Sequence, residues 1–282
     1  MQCKLHAMRY EMLSGRRPQV NRSPSRLYDG ALRILSAIFA LALALPAHAG
    51  SQTLKVAAAA DLQFALNDLT REFHRIHPDI DVSNVFGSSG NFYAEIGNHA
   101  PFDIFLSADS EYPRRLVEAK LAIPESLFVY GIGHIALWVL NSSPLDLPRL
   151  QMRALEAPGV KRIAIANPRH APYGRAAEAA MKSTGVYDRI SSKLVLGENI
   201  AQAFQFAQSG AADIGIVALS LALAPAARGQ GRYWEIPQTA YPKMEQSGVI
   251  LSRAKSLAAA RQFCAFLAGA AAKPIWTNYG FY

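Results

Sequence analysis

The chain has 282 residues, with 29 Lys or Arg against 21 Asp or Glu, which gives a formal net charge of +8 at pH 7. Seven of the basic and two of the acidic residues lie within residues 1–49, so the remainder carries only about +3. Because a surface that binds nucleic acid needs clustered Lys and Arg, this balance argues against a nucleic-acid partner. Roughly 230 residues follow position 49, enough for one large domain or two smaller α/β lobes.

The first 49 residues have the pattern of a secretory signal peptide. A basic segment precedes an uncharged apolar run over Ile34–Leu45, and the small-residue pattern Ala47-His48-Ala49 follows. Since a membrane-spanning helix needs roughly 20 apolar residues, the run favours cleavage near Ala49 over the alternative, an uncleaved N-terminal anchor. Cleavage would release the rest of the chain into the periplasm. Cys264 would then be its single cysteine, expected to be a small buried hydrophobe and not part of a disulfide.

Strand-like and helix-like patterns alternate along the rest of the chain. The predicted strands are residues 53–59, 80–86, 103–107, 128–140, 162–166, 193–196, 214–218 and 249–251, and the predicted helices are residues 62–76, 91–96, 112–119, 176–183, 201–208 and 257–269. This alternation is typical of an α/β protein, in which helices cover both faces of mainly parallel sheets. In such sheets, ligands bind beyond the carboxyl ends of the strands.

Four strand-to-helix junctions place small or polar residues where a helix begins. They are Val56–Leu62, Val85–Gly90, Ile165–Gly174 and Leu196–Ile200, and each lies at the carboxyl end of a predicted strand. A helix N-terminus presents unpaired N–H groups and the positive end of the helix dipole. Several such termini aimed at one point would form an anion site that needs no basic side chain.

Three segments resemble the periplasmic molybdate-binding proteins, the substrate receptors of molybdate ABC importers. These segments are Val56–Leu62, Phe86–Asn91 with Ala100–Asp109, and Ile163–Pro168 with Ala171–Gly174. The stretch Pro-Phe-Asp-Ile-Phe-Leu-Ser-Ala-Asp is the most specific of them. The similarity continues in order to the end of the chain, through Asp213–Val217 and Tyr279–Phe281.

This resemblance implies a type II periplasmic-binding-protein fold. Two lobes, each a mainly parallel sheet flanked by helices, would enclose the anion between them and would be joined by two crossing strands that act as a hinge. Lobe 1 would comprise residues 51–136 and 247–282, and lobe 2 residues 137–246. The crossings would lie near residues 136–137 and 247–248.

The resemblance also implies a set of ligand-binding residues. The family's hydroxyl ligand corresponds to Ser89, with Ser88 beside it, and the backbone N–H donors correspond to Ala60, Asp61, Tyr173 and Ile200. Asp61 departs from the Ser, Thr or Asn that is frequent there. Because a carboxylate would repel a dianion, its side chain is expected to cap the helix that begins at Leu62. A tyrosine that completes the site in one subgroup corresponds to Ala218, which has no hydroxyl.

The function that these residues predict is capture of molybdate, and of tungstate as a near isostere, for delivery to an ABC permease in the inner membrane. The protein would be a monomeric receptor and not an enzyme, with no cofactor besides its oxyanion ligand. One alternative is the same fold with sulfate, phosphate or another small oxyanion. Others are a secreted serine hydrolase that uses Ser89 and a ferric-ion binder, although the paired tyrosines of the latter are not evident. His74 and His77 share a predicted helix face, but no third metal ligand is suggested.

Overall fold

The computed structural model describes residues 52–282, which lie within one compact unit, residues 50–282. The predicted signal peptide and its cleavage point lie outside the described residues. Within 52–282, no helix has the length and apolar character needed to cross a membrane.

Ten strands and ten helices make up the described residues. The strands are β1 (Gln52–Ala59), β2 (Ile80–Gly87), β3 (Ile104–Ser107), β4 (Phe128–Gly133), β5 (Ile135–Leu140), β6 (Ile163–Ala166), β7 (Leu194–Gly197), β8 (Ile214–Ala218), β9 (Gly231–Glu235) and β10 (Met244–Ile250). The helices are α1 (Gln63–Ile76), α2 (Ser89–Gly97), α3 (Glu111–Glu118), α4 (Leu147–Leu150), α5 (Pro172–Ser183), α6 (Tyr187–Ile190), α7 (Ile200–Gln208), α8 (Leu219–Ala222), α9 (Leu257–Ala268) and α10 (Lys273–Asn278). A 3-10 turn over Ala60–Leu62 joins β1 to α1.

The strands form two five-stranded sheets, and each sheet is the centre of one lobe. Their orders are β2-β1-β3-β10-β4 and β7-β6-β8-β5-β9. In the first sheet β1 runs parallel to β2 and β3, whereas β10 runs antiparallel to β3 and β4. The second sheet repeats this arrangement, with β6 parallel to β7 and β8, and β5 antiparallel to β8 and β9. The predicted two-lobed α/β fold is confirmed, with sheets that are mixed.

The chain passes twice between the lobes. It leaves the first sheet at Gly133, enters the second at Ile135, and returns between Glu235 and Met244. The strand character predicted over residues 128–140 is confirmed, but the segment divides into two strands, because β4 and β5 belong to different sheets and His134 separates them. The exact lobe boundaries stay a prediction, and the predicted crossing positions fall inside β5 and β10.

Buried strands explain the continuous apolar runs of the sequence. β3 and β6 are buried along their whole length, as expected for strands covered by helices on both faces. One side chain behaves as predicted. Cys264 is buried, which raises the pKa of its thiol to about 12. Asp103 accepts backbone N–H bonds from Lys55 at 2.7 Å and Lys255 at 2.8 Å, so it anchors the chain that leads into β3.

Candidate functional site

A small cavity lies between the carboxyl ends of strands from both lobes. About 190 Å³ of space lies between its atoms, part of it open to solvent. Its lining comprises Ala59, Ala60, Asp61, Gly87, Ser88, Ser89, Ala108, Ala171, Pro172, Tyr173, Asn199 and Ile200. All six predicted site residues are in this set, so the structure brings together four junctions that are far apart in the sequence.

Each junction presents the start of a helix or turn to this cavity. The 3-10 turn begins at Ala60, α2 at Ser89, α5 at Pro172 and α7 at Ile200. The first N–H groups of a helix have no partner within the helix, and the helix dipole makes that end positive. Converging starts therefore create a region of positive potential and hydrogen-bond donors, although no Lys, Arg or His side chain lines the cavity.

The two serines of the second junction have different partners. Ser89 is 1% exposed, and its Oγ accepts a hydrogen bond from the Ala108 N–H at 3.0 Å. Since that oxygen is an acceptor, the hydroxyl hydrogen is left to donate elsewhere. Ser88 Oγ instead donates to the carbonyl of His170 at 2.6 Å and lies 2.9 Å from that residue's Nδ1. Ser89 therefore has a donor for a ligand, whereas Ser88 bonds across the cleft.

The predicted capping role of the Asp61 side chain is wrong. Neither the 3-10 turn nor α1 has a side-chain cap. Oδ2 of Asp61 instead accepts hydrogen bonds from Tyr173 Oη at 3.0 Å and from Gln246 Nε2 at 2.8 Å. Oδ1 is buried and has no partner. Burial raises the pKa of Asp61 to about 6, although these two hydrogen bonds and the residue's own backbone N–H lower it.

The tyrosine and the glutamine that hold Asp61 also bond to each other. Gln246 Nε2 donates to Tyr173 Oη at 2.9 Å, and both side chains are buried. Burial raises the pKa of Tyr173 well above its usual value, and the Asp61 charge adds to that effect. Gln246 was not predicted from the sequence, because a lone glutamine in a late strand carries no motif. Ala218, the counterpart of the subgroup's tyrosine, is buried but does not line the cavity.

Several polar contacts join the two lobes around the cavity. The Gly90 N–H donates to the carbonyl of His170 at 2.9 Å, and Asn91 bonds to Glu198. Farther out, Arg175 of α5 forms an ion pair with Asp109 at 2.6 Å. Asp109 also accepts the Tyr112 N–H at 3.1 Å, just before the start of α3. The cavity is therefore bounded by both lobes in a closed arrangement.

This arrangement suits anion binding better than the other chemistries considered. The His170 ring contacts Ser88 and not Ser89, so the nucleophile of the hydrolase alternative lacks its base. In the part of the chain that the structure describes, no three His, Cys, Asp or Glu residues form a group suited to a metal ion. What the cavity offers is neutral hydrogen-bond donors, together with one buried carboxyl.

Comparisons with known proteins identify the family. Residues 54–282 match the family described as "Bacterial extracellular solute-binding protein". The molybdate-binding protein ModA of Rhodobacter capsulatus is 35% identical over 92% of this chain and 97% of its own length. ModA of Azotobacter vinelandii is 34% identical over 88% of this chain and 96% of its own length.

Solved structures agree with this assignment. The Azotobacter vinelandii periplasmic molybdate-binding protein superimposes with a TM-score of 0.76 at 34% identity, over 81% of this chain and 98% of its own. The sulfate-binding protein SubI of Mycobacterium tuberculosis shares the fold, with a TM-score of 0.66 at 15% identity over 82% of this chain and 86% of its own. From the match along its length and the identity with these relatives, the chain belongs to the bacterial extracellular solute-binding proteins, which are binding proteins and not enzymes.

Proposed function

We propose that this protein is the receptor of a molybdate importer and binds molybdate, and tungstate as a near isostere, in the cavity between its lobes. The observation that carries the proposal is the convergence of four helix or turn starts and the Ser89 hydroxyl on one cavity without a basic side chain. Relatives named molybdate-binding proteins, at 34–35% identity over nearly their whole length, support the choice of ligand.

The donor set fits the chemistry of this anion. Molybdate is a tetrahedral dianion that is fully deprotonated near neutral pH, so its oxygens accept hydrogen bonds and donate none. The N–H groups of Ala60, Asp61, Tyr173 and Ile200 and the hydroxyl of Ser89 would supply donors. Hydrogen bonds to a charged acceptor are stronger than neutral ones, and closure of the lobes around the anion would exclude the water that weakens them.

The remaining steps of the function follow from the family. The chain would be exported through its signal peptide, bind its ligand as a monomer in the periplasm, and deliver it to an ABC permease in the inner membrane. Sulfate is also a tetrahedral dianion but is smaller. A rigid cavity that holds the larger anion at hydrogen-bond distance from every donor would leave sulfate with some of these bonds too long.

One observation favours a second candidate ligand. Asp61 Oδ1 is a buried acceptor without a partner, and a protonated oxyanion such as hydrogen phosphate would have a proton to give to it. In that case the receptor would have the same fold and partners but a different cargo. Fully deprotonated anions would then be excluded by repulsion from the carboxylate.

Calorimetric titration of residues 50–282 with molybdate, tungstate, sulfate and phosphate tests the proposal. We expect binding of molybdate and tungstate with little binding of the other two. Melting temperature gives a second readout, because a ligand at about 100 times its Kd stabilises the folded state by about 2.7 kcal/mol. Equal affinity for sulfate would refute selection by size. Tight phosphate binding without molybdate binding would favour the second candidate.

A further inference from the structure

Asp61 presents an electrostatic conflict in the proposed site. Its side chain is 1% exposed and lines the cavity, and no cationic side chain lines that cavity with it. A buried carboxylate next to a dianion would place three negative charges together without a counter-charge. Burial of an unpaired charge is strongly unfavourable, and the usual outcome is that the group becomes neutral.

The hydrogen bonds of Asp61 indicate where a proton would go. Oδ2 already accepts two hydrogen bonds, from Tyr173 and Gln246, whereas Oδ1 has none. A proton on Oδ1 would remove the negative charge and convert the unpartnered oxygen into a donor. A dianion that only accepts hydrogen bonds would then find one more donor in the place where the ionised carboxylate would repel it.

The other groups that face Asp61 do not supply a positive charge that could balance its carboxylate. The titratable groups that face it are Tyr173 from α5 and Tyr130 from β4, which are both neutral acids when protonated. Asp109, which does not line the cavity, raises the pKa of Tyr130 and so adds negative potential. From β10 the neutral Gln246 faces Asp61, and from α8 Ser220 donates to the Asp61 carbonyl at 2.8 Å.

We propose that the receptor binds molybdate together with one proton, which lies between Asp61 Oδ1 and an oxygen of the anion. Asp61 would thus be a hydrogen-bond donor in the loaded site and a proton-coupled specificity residue. The inference rests on the proposed function, because it concerns how the same cavity holds its anion. It also separates the two candidate ligands, since hydrogen phosphate brings this proton itself whereas molybdate has to recruit it from solvent.

Proton coupling has a definite signature. A pKa near 6 means that Asp61 is ionised at about pH 8 before the ligand arrives, so binding should take up about one proton per molybdate. Affinity should then fall about tenfold for each pH unit above about 6.5, and it should level off below about 6. Asp61→Asn keeps the shape and supplies an amide donor without a charge. Its affinity should be independent of pH over this range and should exceed that of the wild type at about pH 8.

The experiment is calorimetric titration with molybdate in pairs of buffers that differ in ionisation enthalpy, for wild type, Asp61→Asn and a control, Asp146→Asn. Asp146 caps α4 on lobe 2 away from the cavity, and asparagine caps equally well, so the control should retain the wild-type proton uptake. An infrared difference spectrum of the wild type should gain the C=O band of a protonated carboxyl on binding. Absence of that band on binding would contradict the inference even if the Asp61→Asn protein does not fold.

The outcomes test the proton-coupling inference and the proposed function separately. Uptake of about one proton in the wild type and the control, absent from Asp61→Asn, supports the inference. Molybdate binding without proton uptake, or uptake that persists in Asp61→Asn, overturns the inference and leaves the proposed function intact. Absence of molybdate binding by the wild type at any pH overturns the proposed function itself. Phosphate binding without net uptake at about pH 8 would assign the same proton to the second candidate ligand.

Discussion

Replacement of Ser89 by alanine tests the side chain that the structure places best for direct contact with an anion. The oxygen of Ser89 accepts the Ala108 N–H at 3.0 Å, which orients the hydroxyl so that its hydrogen is available to a ligand. Ser89 is also the first residue of α2, so its own N–H belongs to the same group of donors. Ser89→Ala removes the hydroxyl and keeps the N–H.

Two free-energy changes should follow from this substitution. Loss of a hydrogen bond to a charged partner costs about 1.5–3 kcal/mol, which corresponds to molybdate binding that is roughly ten- to a hundred-fold weaker. The Ala108 N–H is buried and would lose its acceptor, which should lower the free energy of unfolding by about 1–3 kcal/mol. Because the structure shows no cap at this helix start, loss of a cap does not contribute.

Titration calorimetry and urea unfolding measure the two effects separately. Ser88→Ala is the matched control, since Ser88 has its hydroxyl engaged with His170 and should affect affinity less. Unchanged affinity in Ser89→Ala would remove the hydroxyl from the site. A larger loss of affinity in Ser88→Ala than in Ser89→Ala would mean that contacts between the lobes, and not contacts with the ligand, dominate this junction.

Two further predictions concern Asp61 and Gly90, the glycine that follows these serines. Because the pKa of Asp61 is about 6 in the folded protein and 3.8 is its ordinary value, stability should fall as pH rises between these values. Above about pH 6 the ionised form should cost up to about 3 kcal/mol. Asp61→Asn should therefore increase the free energy of unfolding at about pH 7.5 but not at about pH 3.5, as urea unfolding at both pH values would reveal. Gly90→Ala should weaken molybdate binding, because the new Cβ would lie 2.5 Å from the His170 carbonyl oxygen and would hold the lobes apart. Small-angle scattering with and without molybdate would show whether the lobes still close, and wild-type closure would contradict this reasoning.

The sequence predicted most of the elements that build the site, because each is a local pattern. The strands near residues 53–59 and 214–218 and the helix near 62–76 lie within a residue of the observed bounds. The predicted positions of helix starts were less accurate. α5 begins at Pro172 and not at 176, since proline fits the first turn of a helix and the alanine run that follows gives the stronger signal. β9 was missed because its burial is partial and its pattern is short.

The partners of Asp61 could not be predicted from local patterns. Gln246 and Tyr173 are separated from Asp61 by 185 and 112 positions and meet it only through the folded topology. A helix-start aspartate is usually a cap, and that expectation failed here because buried neutral donors from two other elements compete for the same carboxyl. Long-range pairing of this kind depends on the register of β10 and on the contact between the lobes, neither of which a single segment encodes.

The start of α2 links ligand binding to contact between the lobes. Ser88 Oγ and the Gly90 N–H both donate to the carbonyl of His170, a residue of the opposite lobe. Ser89, between them, keeps its hydroxyl hydrogen for the cavity. An anion held by Ser89 therefore fixes the same helix start that binds the other lobe, and closure in turn holds Ser89 in position. Affinity and closure are consequently two measures of one equilibrium, so a substitution that prevents closure weakens binding even where it removes no donor.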